Sequence, residues 1–407
     1  MAIVAKRDES GLEAAKITKS YGFRLALAIA ERLEIGSLTI EADGARYRFE
    51  GNEPGPDGHI RLHRKRALRR FATGGALGFS EAYLDGDWDS PDLPRLLEVL
   101  ALNEASLAER YYGQRSFGWV PRVLHLLRPN TRRGSRRNIY AHYDLGNAFY
   151  GAWLDETMTY SSARFVEPKQ SLAEAQRQKY ACLADGLQLG PQDHVLEIGC
   201  GWGGFAAYAA GEIGARVTAV TISRQQHEYV AESLHKSGLN ERVELQLKDY
   251  RDLEGTYSSI ASIEMFEAVG ERYWPMFFSQ LRERLAPGGR AGLQIITIAD
   301  RYFEGYRRRA DFIQRHIFPG GMLPSPSVLR EQIRRAGLRL QDEVTFGLDY
   351  ARTLAQWGRR FQDAWPALRE QGFDDRFKRL WDYYLAYCEA GFRAGYTDVG
   401  QVTLARS

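Results

Sequence analysis

The sequence predicts an α/β protein: a doubly wound sheet of seven strands with a helical insertion, preceded by a smaller N-terminal α+β domain. Three observations predict it. From about residue 190, short apolar runs alternate with helical periodicities. The first of these runs ends in a glycine cluster that opens a helix. The first third of the chain instead carries a hairpin signal followed by helical patterns, so it is organised differently.

The elements follow in order. Residues 10–34 have helical periodicity, with Leu25, Ala28 and Leu33 among the apolar positions. SLTIEADGARYRF (37–49) alternates around Asp43-Gly44, a pair that accepts the backbone twist of a tight hairpin. Helical patterns follow at 64–72, 77–85 and 91–103, the last opening with Ser90, Pro91 and Asp92. Residues 126–138 are rich in arginine and interrupted by Pro129 and Gly134, and read as a basic linker. The expected division is a docking domain at 1–125, the linker at 126–138 and the main domain at 139–407. In that domain HVLEIG (194–199), RVTAVTIS (216–223), VELQLKD (243–249), SSIASIEMF (258–266) and RAGLQIITI (290–298) are strands. Helical patterns at 203–213, 224–237 and 273–286 separate them. LRLQDEVTF (338–346) and DVGQVTLAR (398–406) complete seven strands and flank helices at 351–368 and 374–393. The stretch 299–325 breaks the alternation and reads as an insertion over the site.

Composition narrows the class. The 407 residues are 44% hydrophobic and 26% charged, which excludes a disordered or fibrous chain. Cys182, Cys200 and Cys388 are too scattered for a disulfide framework, and no metal site is expected. No run of about 18 apolar residues is present and no secretory signal is read, so a cytoplasmic setting is expected. Residues 1–140 hold 23 Lys and Arg against 18 Asp and Glu, whereas the remainder holds 32 against 34. The basic excess lies in RLHRKRALRR (61–70) and LLRPNTRRGSRRN (126–138). Such runs suit phosphates of lipid head groups or nucleic acid, or form a solvated helix face and a linker.

The glycine cluster is Glu197-Ile-Gly199-Cys-Gly201-Trp-Gly203-Gly204. Glycines let the backbone turn tightly and approach a ligand closely. A dinucleotide site expects an acid about 20 residues further on, for a ribose hydroxyl. Here the second strand ends in Thr221, with no acid at 216–223. Glu197 stands before the first glycine, which favours S-adenosylmethionine over a nicotinamide cofactor. After the third strand, Asp249 offers a carboxylate to an adenine amino group and Tyr250 a ring to cover the base.

YAHYDLGNAFYGAWLDETMTYSSARF (140–165), VLEIGCGWGG (195–204), VTISRQQ (220–226), MFEAVG (265–270) and FIQRHIFPGGMLPS (312–325) together resemble the cyclopropane-fatty-acyl-phospholipid synthase family. The resemblance runs from about residue 60 onward and implies the class I methyltransferase fold. In that family a sulfonium methyl is transferred to one carbon of a cis double bond, and a base then removes a proton. Loss from the methyl closes a cyclopropane ring or, after a hydride shift, leaves a methylene branch, and loss from a neighbouring carbon leaves a methyl-branched alkene. The ring is the first expectation and the branch the second. No protein nucleophile is required. A dry pocket, a base and electron-rich walls are required, and Tyr302, Phe303, Tyr306, Phe318 and Tyr350 are candidate wall residues.

In many members the base is a bound bicarbonate. Carried over position by position, its catalytic holding set is Glu267, Tyr350, Ser162 and the amide of Ile298. Two positions depart: a serine, Ser162, replaces the usual cysteine, and Ile296 replaces the usual histidine. A lost donor to an anion costs roughly 1.5–3 kcal/mol, so a weakened or rearranged bicarbonate site is expected. For S-adenosylmethionine the resemblance carries over Tyr160, Ser161, Gly199, Gly201, Thr221, Gln226, Asp249 and Tyr250, beside Glu197. His142 reads as a structural or gate residue and His316 as either that or a base. The implied partners are unsaturated phospholipid acyl chains and an anionic membrane surface, met peripherally at its inner face, with a homodimer left open. A nucleic-acid methyltransferase is disfavoured, because neither an Asn/Asp-Pro-Pro motif nor a Pro-Cys nucleophile occurs. A non-catalytic lipid-binding protein that kept the cofactor fold is the remaining rival.

Overall fold

The computed structural model describes residues 17–104, 106–107 and 145–406. The expected linker and His142 lie outside the described residues. The chain divides into two compact units. One takes the described residues of Met1–Val120 with Trp365–Tyr396, and the other those of Pro121–Ala364 with Thr397–Ser407.

The first unit is built on a four-stranded sheet in the order β2-β1-β3-β4. Strands β1 (Ile35–Ala42) and β2 (Ala45–Glu50) form the expected hairpin, with Ala42 opposite Ala45. Asp43 and Gly44 take φ of 51° and 73°, as that short turn requires. Strand β3 (Glu53–Leu62) runs parallel to β1 and was not expected, because EPGPDG reads as a loop. Its far neighbour β4 (Trp88–Asp89) pairs only Arg61 and Leu62, so Pro54 and Pro56 need no ladder donor on that side. Helix α1 (Tyr21–Ala30) starts at Ser20, whose side chain accepts from Phe23 N. Helix α2 (Arg66–Leu84) joins two expected helices across a kink at Gly75. Helix α3 (Leu93–Leu102) is capped by Asp92, as its sequence predicts.

The second unit contains the seven-stranded sheet. Its strands are β5 (His194–Ile198), β6 (Arg216–Thr221), β7 (Val243–Leu247), β8 (Tyr257–Ile263), β9 (Leu285–Ile298), β10 (Leu338–Thr345) and β11 (Thr397–Arg406). The order is β10-β11-β9-β8-β5-β6-β7. Strands β5 to β9 pair in parallel, and β11 runs antiparallel to both β9 and β10. Around the sheet lie α4 (Gly146–Gly151), α5 (Leu172–Leu187), α6 (Gly204–Tyr208), α7 (Arg224–Lys236), α8 (Trp274–Arg284), α9 (Asp300–Arg308), α10 (Phe312–His316), α11 (Pro326–Arg335) and α12 (Gly347–Glu370). Helices α9 and α10 make up the insertion expected at 299–325. The core beneath the glycine loop is apolar: Val195, Phe205, Ala206, Val217 and Ala261 are at most 1% exposed.

Helix α13 (Asp375–Arg393) groups with the first unit, whereas position along the chain assigned it to 139–407. It buries Trp381, Tyr383, Tyr384 and Phe392. Arg379 Nη1 donates to Tyr83 O at 2.9 Å, and the rings of Tyr83 and Tyr383 lie 5.5 Å apart. The sequence showed an amphipathic helix but not which surface it covers. Among the described residues, no helix is long and apolar enough to cross a membrane.

Candidate active site

The loop after β5 turns through three glycines, Gly199, Gly201 and Gly203, with φ of 82°, 54° and 83°. They serve different purposes. A Cβ on Gly199 would lie 2.6 Å from Met265 Cγ, and one on Gly204 would lie 2.2 Å from the Tyr180 hydroxyl. A Cβ on Gly201 would meet nothing within 4 Å. The first two contacts are packing; the backbone at Gly201 is open. Glu197, 2% exposed, has an Oε2 without a hydrogen-bond partner. Burial pushes its carboxyl up to about 8, against a backbone hydrogen bond from Ala206 and the charge of Lys179.

At the end of β6, Thr221 Oγ1 donates to Gln226 Oε1 at 2.8 Å, fixing the first turn of α7 to the strand. Asp249, after β7, is gripped by Arg251: Nε donates to Oδ1 at 2.8 Å and Nη2 to Oδ2 at 2.7 Å. The sequence left this carboxylate open for adenine. In the fold both oxygens already accept from Arg251, and only their remaining lone pairs are left for a ligand. The Arg251 guanidinium also lies over the rings of Tyr250 and Tyr273, at 5.5 and 5.6 Å.

The turn after β8 carries two glutamates. Glu267 Oε1 accepts from Ile296 N at 2.6 Å, while Oε2 is buried without a partner. Burial, followed by the neighbouring charge of Glu264, pushes Glu267 up to about 8. Glu264 is held more fully. Its Oε1 accepts from Ser162 N and from Gln294 Nε2, both at 2.8 Å, and its Oε2 from the Tyr350 hydroxyl at 2.7 Å. Burial raises the Glu264 carboxyl as well, opposed first by Lys179 and then by these three donors. Lys179, on α5, is wholly buried and donates to Ser161 Oγ at 2.7 Å. Burial lowers its ammonium to about 7, with Glu264, Asp155 and Glu197 pulling upward.

The insertion closes over this turn. Met322 N donates to Glu267 O at 2.9 Å, and Gln314 Nε2 to Gly321 O at the same distance. Tyr160 stands in an aromatic wall, its ring centroid 5.3 Å from those of both Tyr150 and Trp357 and 5.7 Å from that of Trp153.

The sequence of the mycolic acid cyclopropane synthetase family matches residues 130–402. The chain belongs to that family. It is 42% identical over 367 residues to the tuberculostearic acid methyltransferase UfaA1 of Mycobacterium tuberculosis, covering 85% of this chain and 82% of that one. It is 34% identical over 355 residues to the cyclopropane-fatty-acyl-phospholipid synthase of Escherichia coli, covering 85% and 87%. Among solved structures, the mycolic acid cyclopropane synthase CmaA1 complexed with SAH and CTAB superposes with a TM-score of 0.62 at 29% identity. That match covers 67% of this chain and 98% of CmaA1.

Within this family member, the expected residues fall into two groups. Glu197, Gly199, Gly201, Thr221, Gln226, Asp249 and Tyr250 line the ends of β5, β6 and β7. Ser162 and Tyr350 meet on Glu264 in the turn after β8, Glu267 in the same turn meets the Ile296 amide of β9, and Ser161 is held from α5 by Lys179 and Gln176. Two of the expected anion donors are directed elsewhere. The Ile298 amide donates to Pro324 O at 3.0 Å, because the chain after the insertion returns alongside β9. The Ser162 hydroxyl donates to Ala163 O at 2.9 Å. The amide that does meet Glu267 is that of Ile296.

Glu264, Lys179 and Gln294 were not picked out from the sequence. Lys179 had a legible signal: it stands three residues after Gln176 on the face of α5 that also buries Ala175 and Leu183, where a lysine is out of place. Glu264 had none, because its backbone φ of 48° is invisible in the sequence.

Proposed function

We propose that this chain transfers a one-carbon unit from S-adenosylmethionine to a carbon of a cis double bond in an unsaturated phospholipid acyl chain. The observation that carries the reading is the pair of deep carboxylates, Glu264 and Glu267, at the carboxyl edge of the sheet beneath the insertion. The residues fit the cofactor. Glu197 Oε2 lacks a donor, which suits an ammonium group, and the open backbone at Gly201 permits close approach. Tyr160, Ser161, Gly199, Thr221, Gln226, Asp249 and Tyr250 would complete its site. When bound, the cofactor supplies an electrophilic methyl group.

The chain's own residues do the rest. The rings of Tyr160, Trp153 and Trp357 exclude water and present faces that favour positive charge. Lys179 fixes the Ser161 hydroxyl as an acceptor, leaving its proton to donate. Glu267 holds a proton near neutral pH.

For the product we favour a methyl- or methylene-branched chain. Ile296 removes the usual histidine donor, and the relative at 42% identity is named a tuberculostearic acid methyltransferase. Ring closure, the first expectation from the sequence, is the second reading, supported by the Escherichia coli relative. A phospholipid substrate is supported by coverage: that relative spans most of the chain, whereas CmaA1 matches only 67% of it. Docking at an anionic membrane is supported by the exposed Lys65 and Arg69 of α2 and the residue before it.

The test is incubation of the purified protein with unsaturated phospholipid vesicles and trideuteromethyl cofactor. A methyl branch keeps three deuterium atoms. A ring or a methylene branch keeps two, and NMR separates them. Lipids without label overturn the reading.

A further inference from the structure

We propose that the Glu264 carboxylate is the proton acceptor of this reaction, standing in the place where the family resemblance puts a bound bicarbonate. The proposal rests on the function proposed above and identifies its base.

The geometry is that of an anion site already filled by the chain. Three donors from separate segments converge on one carboxylate: Ser162 N and Gln294 Nε2 at 2.8 Å on Oε1, and the Tyr350 hydroxyl at 2.7 Å on Oε2. Positions 162 and 350 are two of those that the resemblance assigns to a soluble anion. Of the others, Glu267 keeps a buried Oε2 without a partner, and the rest no longer point to an anion. The Ile298 amide is directed to Pro324 O, the Ser162 hydroxyl to Ala163 O, and Ile296 has an apolar side chain whose own amide holds Glu267. Gln294 is buried and is itself fixed, because its Oε1 accepts from Gln401 Nε2 at 3.1 Å. The donor set is therefore rebuilt around a side chain rather than merely weakened.

Two further observations support the assignment. Glu264 adopts φ of 48°, a backbone region that suits glycine and is sparsely used by other residues. A side chain held there against backbone preference points to function. Glu264 also sits deep among protein atoms while part of its surface stays accessible. Lys179 supplies the nearby positive charge that favours its ionised form.

The step balances. After methyl addition one carbon of the former double bond lacks an electron pair. Glu264 removes a proton from the new methyl group or from a neighbouring carbon, at Oε2, which carries one donor against two on Oε1. The C–H electron pair becomes the second C–C bond of a ring, the π bond of a methyl-branched alkene or, where a 1,2-hydride shift has first moved the cation to the methyl-bearing carbon, the π bond of a methylene branch. The carboxylate becomes a neutral acid and returns the proton to solvent before the next turnover.

The test uses the full-length protein with two variants. Glu264→Gln keeps the shape and removes the basicity. Glu264→Gly fits φ of 48° without strain and opens the space to a small anion. Binding of 13C-labelled bicarbonate is followed by NMR without lipid or cofactor, and turnover is measured on unsaturated phospholipid vesicles stripped of bicarbonate. Expected results are no bicarbonate binding by wild type and turnover unchanged by stripping. Glu264→Gln should lose about 10²–10⁴-fold in turnover with cofactor affinity unaltered. Glu264→Gly should bind bicarbonate and regain turnover as it is added. Wild type that binds bicarbonate and stalls without it overturns the proposal, as does a Glu264→Gln enzyme at wild-type rate. The binding arm needs no reaction, so it decides what fills the donor set even where no lipid is modified and the proposed function fails.

Discussion

Glu267 and Glu264 are three residues apart and differ in how they are held. Glu267 has one amide on one oxygen and nothing on the other, whereas Glu264 has three donors. Glu267→Gln should therefore lower turnover by about 10²-fold or more and leave cofactor affinity, read by calorimetry, nearly unchanged. It should also alter the dependence of stability on pH. The Glu267 carboxyl rises from 4.5 to about 8 on folding. Between these values the native state binds the extra proton, so its contribution is complete below about 4.5 and is lost as pH rises through 8. Urea unfolding at pH 5 and pH 8 should show wild type losing more stability over that interval than Glu267→Gln. An equal loss in both would remove the shift. At this scale the sequence was legible where a residue type stood in a recognisable string, as with Glu267 and Tyr350. It was silent on Glu264, whose meaning depends on donors 86 and 102 residues away.

Among the elements, the parallel strands were legible because each is a short apolar run bounded by glycine or polar residues, and four of the five kept nearly the expected limits. Strand β9 starts five residues early, at Leu285, through a Pro-Gly-Gly stretch that reads as a turn. Strand β3 was hidden for the same reason, since its prolines are tolerated only where β4 fails to pair. The junction of β5 and α6 offers a sharp test. A Cβ at Gly204 would fall 2.2 Å from the Tyr180 hydroxyl, which is itself 2.7 Å from Thr159 Oγ1. Tyr180 is buried and cannot swing aside. Gly204→Ala should cost about 1–3 kcal/mol in chemical unfolding, and Gly204→Ala with Tyr180→Phe should recover part of it. Gly201→Ala has no such contact; a Cβ at φ of 54° should cost the fold roughly 1–2 kcal/mol of backbone strain, and the variant should also weaken cofactor binding.

The basic run at 61–70 looks uniform in the sequence, but folding divides it. Arg64, Arg66 and Arg70 converge on Asp87, which has no exposed side-chain surface, at 3.6, 2.6 and 3.3 Å. Lys65 and Arg69 are exposed like Arg64 and Arg66 but make no ion pair with Asp87. Reversing the latter pair to glutamate should weaken binding to anionic vesicles by about 1 kcal/mol per residue without lowering Tm, and the loss should shrink as salt rises. Arg66→Glu should lower Tm whether or not vesicles are present. Equal vesicle binding by wild type and the Lys65/Arg69 double variant would count against docking through this helix. The main domain was legible as a whole because cofactor chemistry demands its glycine loop, whereas the allegiance of α13 was not, because an amphipathic face does not name its partner. That allegiance bears on how the protein is made. The first unit needs residues 365–396, and the sheet of the second needs β11, which lies between β9 and β10. During synthesis neither unit can finish while the chain is short of these segments. Both then wait with apolar surface uncovered until nearly 400 residues have been made. A ribosome stalled at residue 370 would leave two unfinished bodies, not one folded and one incomplete, and demand on chaperones should fall only as β11 emerges.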